Sequence, residues 1–155
     1  MKKLLLFVLL FYSLNALSQQ TNVTIGDKTV QLAMGTKVEL IADFENDKLR
    51  EVKLLDEQKS KPTKSLLQLL SSDSKEKKFT LEFTILEMGK RKTPVLVVKN
   101  PYDKRLIYKA KIQKKGATDF VETSIAPVVP SIASIEQWNE DLQNIILYDF
   151  ELLSN

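Results

Sequence analysis

The chain has 155 residues, 43% of them hydrophobic, and carries 23 basic and 20 acidic side chains but neither histidine nor cysteine. The missing residue types exclude a Ser-His-Asp triad, a Cys-His catalytic pair, a histidine-containing zinc site and any disulfide. The near balance of charges lacks the strongly basic field that attracts nucleic acid, so we expect no nucleic-acid partner.

The first eighteen residues have the pattern of a secretory signal peptide. Lys2 and Lys3 form a positive start, and the apolar run that follows ends at Tyr12, well short of the ~20 residues that a membrane helix needs. Ala16 and Ser18 supply small residues before a cleavage site at Gln19. We therefore predict a periplasmic or secreted protein. Residues 1–18 are removed, residues 19–155 form a single domain, and the mature chain has no transmembrane segment.

Alternation of apolar and polar residues predicts strands in the N-terminal half, and the turns between them contain glycine. The predicted strands lie within residues 21–33, 35–42 and 49–55, and a polar link follows over residues 56–64. The next segment, residues 65–72, has a different period. Its leucines fall at helical spacing, which predicts a helix of one or two turns with these leucines on one side: Leu66, Leu67, Leu69 and Leu70.

The strand pattern is stronger in the C-terminal half. Residues 79–85 and 106–112 alternate strictly, which is typical of strands with one face in the core and one in water. Residues 94–98 are continuously apolar, as expected of a central strand that is buried on both faces. The last predicted strand, residues 145–153, would place four side chains toward the core: Ile146, Tyr148, Phe150 and Leu152.

These segments predict an all-β fold, specifically an antiparallel immunoglobulin-like β-sandwich with at most one short helix, preceded by the signal peptide. Strands with short polar connections and no repeated strand-helix alternation favour a sandwich over an α/β fold. Residues 124–134 contain Pro127 and Pro130, and proline fixes φ and removes a donor. We expect this stretch to be extended, at a sheet edge or crossing between sheets.

Several C-terminal segments resemble small exported bacterial proteins of the immunoglobulin-like sandwich type. The resemblance spans residues 79–153 and rests on the segments NPY at Asn100, LIYKA at Leu106, TSIAPVVP at Thr123, EQW at Glu136 and ILYDF at Ile146. It implies a fold, with no established activity or catalytic residues to carry over. The segment before Lys78 shows no such resemblance.

The acids near Trp138 are candidates for chemistry. Glu136, Glu140 and Asp141 lie beside an aromatic residue, as the two carboxylates of a glycosidase do, which leaves open an exported hydrolase acting on envelope glycans. The favoured interpretation is that Trp138 plugs one end of the core and that Glu136 and Glu140 lie on an exposed face of a helical turn. We therefore predict no catalytic, cofactor-binding or metal-binding residues, and no cofactor.

Basic residues are concentrated in residues 99–115, and only acidic charges are found between Glu136 and Leu153. One interpretation is a basic surface that binds an anionic envelope polymer or lipid. The other is that the two segments form neighbouring strands whose outer faces neutralise each other, which we favour because facing opposite charges stabilise a sheet. The candidate binding surface comprises Lys104, Arg105, Lys109, Lys111 and Trp138.

The sequence thus favours an exported non-enzymatic binding or accessory module of the bacterial cell envelope. Its partner would be a protein or another envelope component, which the sequence does not identify. The alternatives are the envelope-glycan hydrolase and an inhibitor of an exported enzyme, for which a protruding rigid loop would be the sign.

Overall fold

The computed structural model describes residues 22–70 and 78–154, which form ten strands and one short helix. The signal-peptide prediction, together with Ser71 and Ser72 of the predicted helical segment, lies outside the described residues. Within those two ranges, no helix is both long and apolar enough to span a lipid bilayer. In chain order the elements are β1 (Val23–Ile25), β2 (Val30–Ala33), β3 (Thr36–Glu45), β4 (Lys48–Lys59), α1 (Leu66–Leu70), β5 (Phe79–Met88), β6 (Arg91–Lys99), β7 (Arg105–Lys114), β8 (Val121–Thr123), β9 (Ala133–Gln137) and β10 (Leu142–Leu153).

The strands are antiparallel to their neighbours and form two layers that share β10. One layer runs β1-β2-β10-β7-β8, and the other runs β10-β4-β3-β5-β6-β9, in which Glu151 of β10 pairs with Lys48 of β4. β7 follows one edge of β10 along most of its length, so β2 and β4 must both lie on the opposite edge. The arrangement is sandwich-like, and the predicted antiparallel all-β class is confirmed.

A single main core fills the space between the layers. The rings of Phe79 in β5 and Phe150 in β10 meet edge to face with centroids 5.9 Å apart. Leu81 and Leu96 of one layer and Leu147 of the other are fully buried in the same cluster. Because the chain has no cysteine, stability must come from this apolar burial and from the hydrogen-bonded ladders.

A second, smaller core lies on the other face of β5 and β6. It contains Leu69 of α1, Leu86 of β5, and Val95 and Val97 of β6. The prediction that residues 94–98 are buried on both faces is therefore confirmed. The helix is also confirmed, but its leucines do not share one buried side. A helix of five residues presents only Leu69 to the sheet, and 75% of Leu67 is exposed.

The outer face of β5 differs from the prediction, because it is covered rather than solvated. Thr80 and Thr84 are buried, and Thr84 Oγ1 donates to the carbonyl of Lys61 at 3.3 Å. The Thr63 amide donates to the carbonyl of Ile85 at 3.0 Å. The predicted polar link, residues 56–64, therefore divides into two parts. Its first residues are the end of β4, which continues to Lys59, and the rest is a segment that covers β5.

The outer half of β4 is an exposed edge. Residues 53–59 are exposed and pair with β3, and no second strand of the described part of the chain pairs with them. The register between β3 and β4 skips Leu55, which marks a bulge. At the other end of β4, Asn46 and Asp47 have φ of 51° and 65° and form the tight hairpin turn from β3.

Residues 124–132 cross between the layers, from β8 to β9, which is one of the two arrangements expected from the prolines. Val128 in the middle of this crossing is fully buried and exchanges two backbone hydrogen bonds with Leu106. The buried side chain of Asn100 fixes the same region, since its Nδ2 donates to the carbonyls of Lys104 at 2.8 Å and Val128 at 3.0 Å. Its Oδ1 accepts the amide of Tyr102 at 2.9 Å.

Candidate functional site

Strand β10 is interrupted by a bulge. Ile145 and Leu147 point into the core before it, and Phe150 and Leu152 do so after it. The register with β7 shifts between Tyr148 and Glu151, and within that interval Asp149 has a left-handed φ of 53°. The inserted residue changes the phase of the strand. The predicted phase was therefore wrong in its first half, because Ile146 and Tyr148 are only half-buried and lie on the outer face.

The same bulge marks the place where the two layers separate. On one edge of β10, β2 pairs as far as Leu147 and β4 begins its pairing at Glu151. Within residues 22–70 and 78–154, no strand pairs with residues 148–150 on that edge. The separation of two strands from one shared strand leaves a gap at this point.

This gap is a cleft of about 410 Å³, which we call the bulge cleft. Its apolar floor is made by Leu49 and Phe150, which are both buried, and Ile107 extends the same surface. Charged side chains surround the floor. The lining residues come from the β1–β2 turn and from β4, β7 and β10: Lys28, Lys48, Leu49, Ile107, Tyr108, Lys109, Asp149, Phe150 and Glu151.

The charges in the bulge cleft are unevenly paired. Lys109 Nζ lies 3.0 Å from Asp149 Oδ2, and this hydrogen bond and the charge of Asp149 raise the pKa of Lys109. Lys28 and Lys48 are exposed, and neither has a carboxylate of the described residues within ion-pair distance. Glu151 is half-buried and lies opposite Lys48 in the register of β10 and β4.

The lysines of the predicted binding surface are largely engaged within the fold. Lys104 Nζ lies 2.5 Å from Asp47 Oδ1, and Lys109 pairs with Asp149. Lys111 Nζ lies 5.4 Å from the centroid of the Tyr148 ring, at cation–π distance. Arg105 is exposed at the start of β7, opposite Leu153.

Trp138 does not join this surface. Its Nε1 donates to Thr123 Oγ1 at 3.0 Å, and its ring meets Phe83 edge to face with centroids 6.3 Å apart. It packs against the main core, as the plug interpretation predicted. Because Thr123 lies opposite the buried Ala110, Trp138 is on the inner side of β7, whereas Lys109 and Lys111 point outward. The five predicted residues therefore do not form one surface.

The predicted neutralisation between the basic and acidic segments is confirmed where the strands face each other. β7 and β10 are neighbours, and the Lys109–Asp149 pair joins them. Lys114 also pairs with Glu140 at 2.8 Å. Lys111 departs from the expected pattern, because the bulge brings the Tyr148 ring beneath its ammonium instead of a carboxylate of β10.

Glu136 and Glu140 have other partners. The predicted helical turn is not helical, because strand β9 runs to Gln137 and a bend follows at Asn139 and Glu140. Glu136 Oε1 accepts the amide of Ala126 at 2.9 Å, and Glu140 pairs with Lys114. Burial raises the pKa of Tyr108 on the facing strand, and the charge of Glu136 adds to the rise. None of these acids lines the bulge cleft. The hydrolase therefore stays a prediction from the sequence.

No sequence pattern marks Lys28 and Lys48 as site residues. Each lies beside a turn in a polar stretch, and only the fold brings them to the bulge of β10. The described part of the chain has no group of three or more Asp, Glu, His or Cys side chains placed to hold a metal ion. The fold and the cleft together define an all-β, sandwich-like protein with a cleft beside a bulged strand.

Comparison with protein-family models, with curated proteins and with solved structures found no match for this chain. The function must therefore be inferred from the site itself.

Proposed function

We propose that this chain is an exported, non-enzymatic binding or accessory module of the bacterial cell envelope. We further propose that it has the immunoglobulin-like sandwich fold that its C-terminal segments resemble. The observation that carries the function is the bulge cleft. It is concave, its floor is apolar, and a few charged groups converge on it, which are the usual features of a small-ligand site.

The walls of the bulge cleft support binding because they are held by regular structure. β7 and β10 are joined by a long ladder, and the hairpin turn before β4 is tied to β10 where the Leu152 amide donates to the carbonyl of Asp47 at 2.7 Å. A site on strands loses less conformational entropy on binding than a site on loose loops. The lining offers ammonium groups and apolar surface, which hold a ligand, and contains no hydroxyl nucleophile of serine or threonine.

The proposal is tested by affinity capture from the native envelope. The tagged mature chain is compared with the double variant Lys28→Glu/Lys48→Glu, and retained components are identified by mass spectrometry. The matched control is Lys59→Glu/Lys90→Glu, which makes the same charge change at two exposed lysines outside the cleft. Circular dichroism confirms that all three proteins are folded.

We expect one or more envelope components to be retained by the wild-type chain and by the control, and to be lost with the cleft variant. Retention of the same components by all three proteins would show that the bulge cleft is not the binding site. Conversion of a retained glycan to smaller products would support the hydrolase instead.

A further inference from the structure

We infer that the ligand of the bulge cleft carries a compact oxyanion, either a carboxylate or a phosphate, on a small apolar body. In this assignment Lys28 and Lys48 contact the oxyanion, and Leu49 and Phe150 contact the body. The inference rests on the proposed function, since it names the class of ligand that the same cleft would take.

The charges in the bulge cleft favour an anion. Its lining has three ammonium groups and two carboxylates, and the Lys109–Asp149 pair already satisfies one of each. The two positive charges of Lys28 and Lys48 are then opposed by only one other carboxylate of the lining, that of Glu151. The excess positive charge faces a partly apolar concavity, where attraction of an opposite charge is stronger than in open water.

The two lysines are held in place by the backbone on either side of the cleft. The Val52 amide of β4 donates to the carbonyl of Asp27, at 3.3 Å, which ties the β1–β2 turn that carries Lys28 to β4. Lys48 directly follows Asp47, whose carbonyl accepts the Leu152 amide of β10. The backbone of both lysines is therefore fixed, and their exposed side chains extend from it. Such an arrangement reduces the entropy lost when they close on one ligand group.

The size of the bulge cleft limits the body of the ligand. Its volume of about 410 Å³ is near the lower end of the ~300–1,000 Å³ range of small-molecule sites. The buried side chains of Leu49 and Phe150 form a floor that excludes water from an apolar body. A polymer would enter only with one end or one residue. A short anionic molecule, or the anionic end of a longer one, fits these limits.

The test is a titration of the mature chain with three probes that share one apolar body: benzoate, phenyl phosphate and benzyl alcohol. Binding is followed by the backbone amide resonances of Lys28, Lys48 and residues 148–151. We expect an anionic probe to shift these resonances and the uncharged probe to bind much more weakly. The stronger of benzoate and phenyl phosphate identifies the oxyanion.

The variant Lys28→Met/Lys48→Met keeps the side-chain length and removes the charge. We expect it to bind the anionic probe about tenfold more weakly, the sum of two modest ion-pair contacts, and the wild-type affinity to fall with salt. The control Lys59→Met/Lys90→Met should bind as the wild type does.

Three results would overturn the inference. Benzyl alcohol could bind as tightly as the anions, Lys28→Met/Lys48→Met could bind the anionic probe as the wild type does, or neither anion could bind. Failure here is distinguishable from failure of the proposed function. If envelope capture still depends on Lys28 and Lys48, the cleft binds a ligand of another class.

Discussion

Strands β6 and β10 are both central to the fold, but they differ in regularity. In β6, Leu96 and Val98 enter the main core while Val95 and Val97 enter the second core, so every side chain from residue 95 to 98 is fixed by packing. β10 packs on one face, and its ladder breaks at Asp149. Packing on both faces favours a regular ladder, whereas a strand that is buried on one face can accept an extra residue and leave a cleft beside it.

The largest expected loss of stability comes from a substitution in β6. Leu96 has no exposed surface, so Leu96→Ala should lower the free energy of unfolding by about 2 to 5 kcal/mol through lost burial and a cavity. Denaturant unfolding followed by circular dichroism measures the change. Leu67→Ala is the matched control, because 75% of Leu67 is exposed, and its effect should stay within about 0.5 kcal/mol. Equal effects at the two positions would contradict the assignment of β6 to the core.

The next largest loss of stability is expected from a substitution at the bulge of β10. Asp149 has a φ of 53°, which a β-branched residue adopts only with strain, so Asp149→Val should destabilise the chain by about 1 to 3 kcal/mol. Asp149→Gly also removes the carboxylate but tolerates this φ, and should be clearly more stable than Asp149→Val. Thermal and denaturant unfolding compare the two variants. If they were equally stable, the residue would not be left-handed and the bulge would lie elsewhere.

The ionisation of a buried tyrosine should make the stability of the fold depend on pH. Burial raises the pKa of Tyr102 to about 12, and its ring packs against Phe44 with centroids 5.1 Å apart. The unfolded chain ionises this group near pH ~10, so the stabilisation is complete below pH ~10 and is lost as the pH rises toward 12. Absorbance titration and denaturant unfolding measure both effects. Tyr102→Phe should reduce the fall in stability over this range, and an unchanged fall would assign it to other groups such as Tyr108.

The smallest effect concerns the Lys109–Asp149 pair, whose side chains are 67% and 59% exposed. Exposed pairs contribute little because water and salt screen them. A double-mutant cycle with Lys109→Met and Asp149→Asn should give a small favourable coupling that diminishes at high ionic strength, measured by thermal unfolding. Asparagine is chosen because it tolerates a left-handed φ. A coupling that is large or insensitive to salt would mean that the pair is more buried than the structure shows.

Much of the fold follows from local sequence patterns, because a strand that is buried on one face alternates apolar and polar residues. The alternation of Leu106, Tyr108, Ala110 and Ile112 predicted β7, and the apolar run of residues 94–98 predicted the double burial of β6. The turns at Gly26 and Gly35 were also predicted. These features depend only on neighbours along the chain and on the requirement for a core.

The features that sequence could not give depend on distant contacts. The bulge at Asp149 requires β7, β2 and β4 to pair with β10 in a particular register, and no local pattern encodes that register. Thr84 is an ordinary polar position in an alternating strand, and only the covering segment near Lys61 explains its burial. For the same reason, the cleft lysines Lys28 and Lys48 could not be distinguished from other surface lysines.

The exposed edge of β4 has a consequence for how the protein behaves among its own copies. The unpaired side of an edge strand is a template on which a second chain can continue the ladder, and this is a common route to aggregation. Here Lys53, Asp56, Glu57 and Lys59 place charge along the edge, and the bulge at Leu55 breaks its regular spacing. An incoming strand would meet both obstacles at once. These features disfavour ordered self-association through β4, even at high protein concentration.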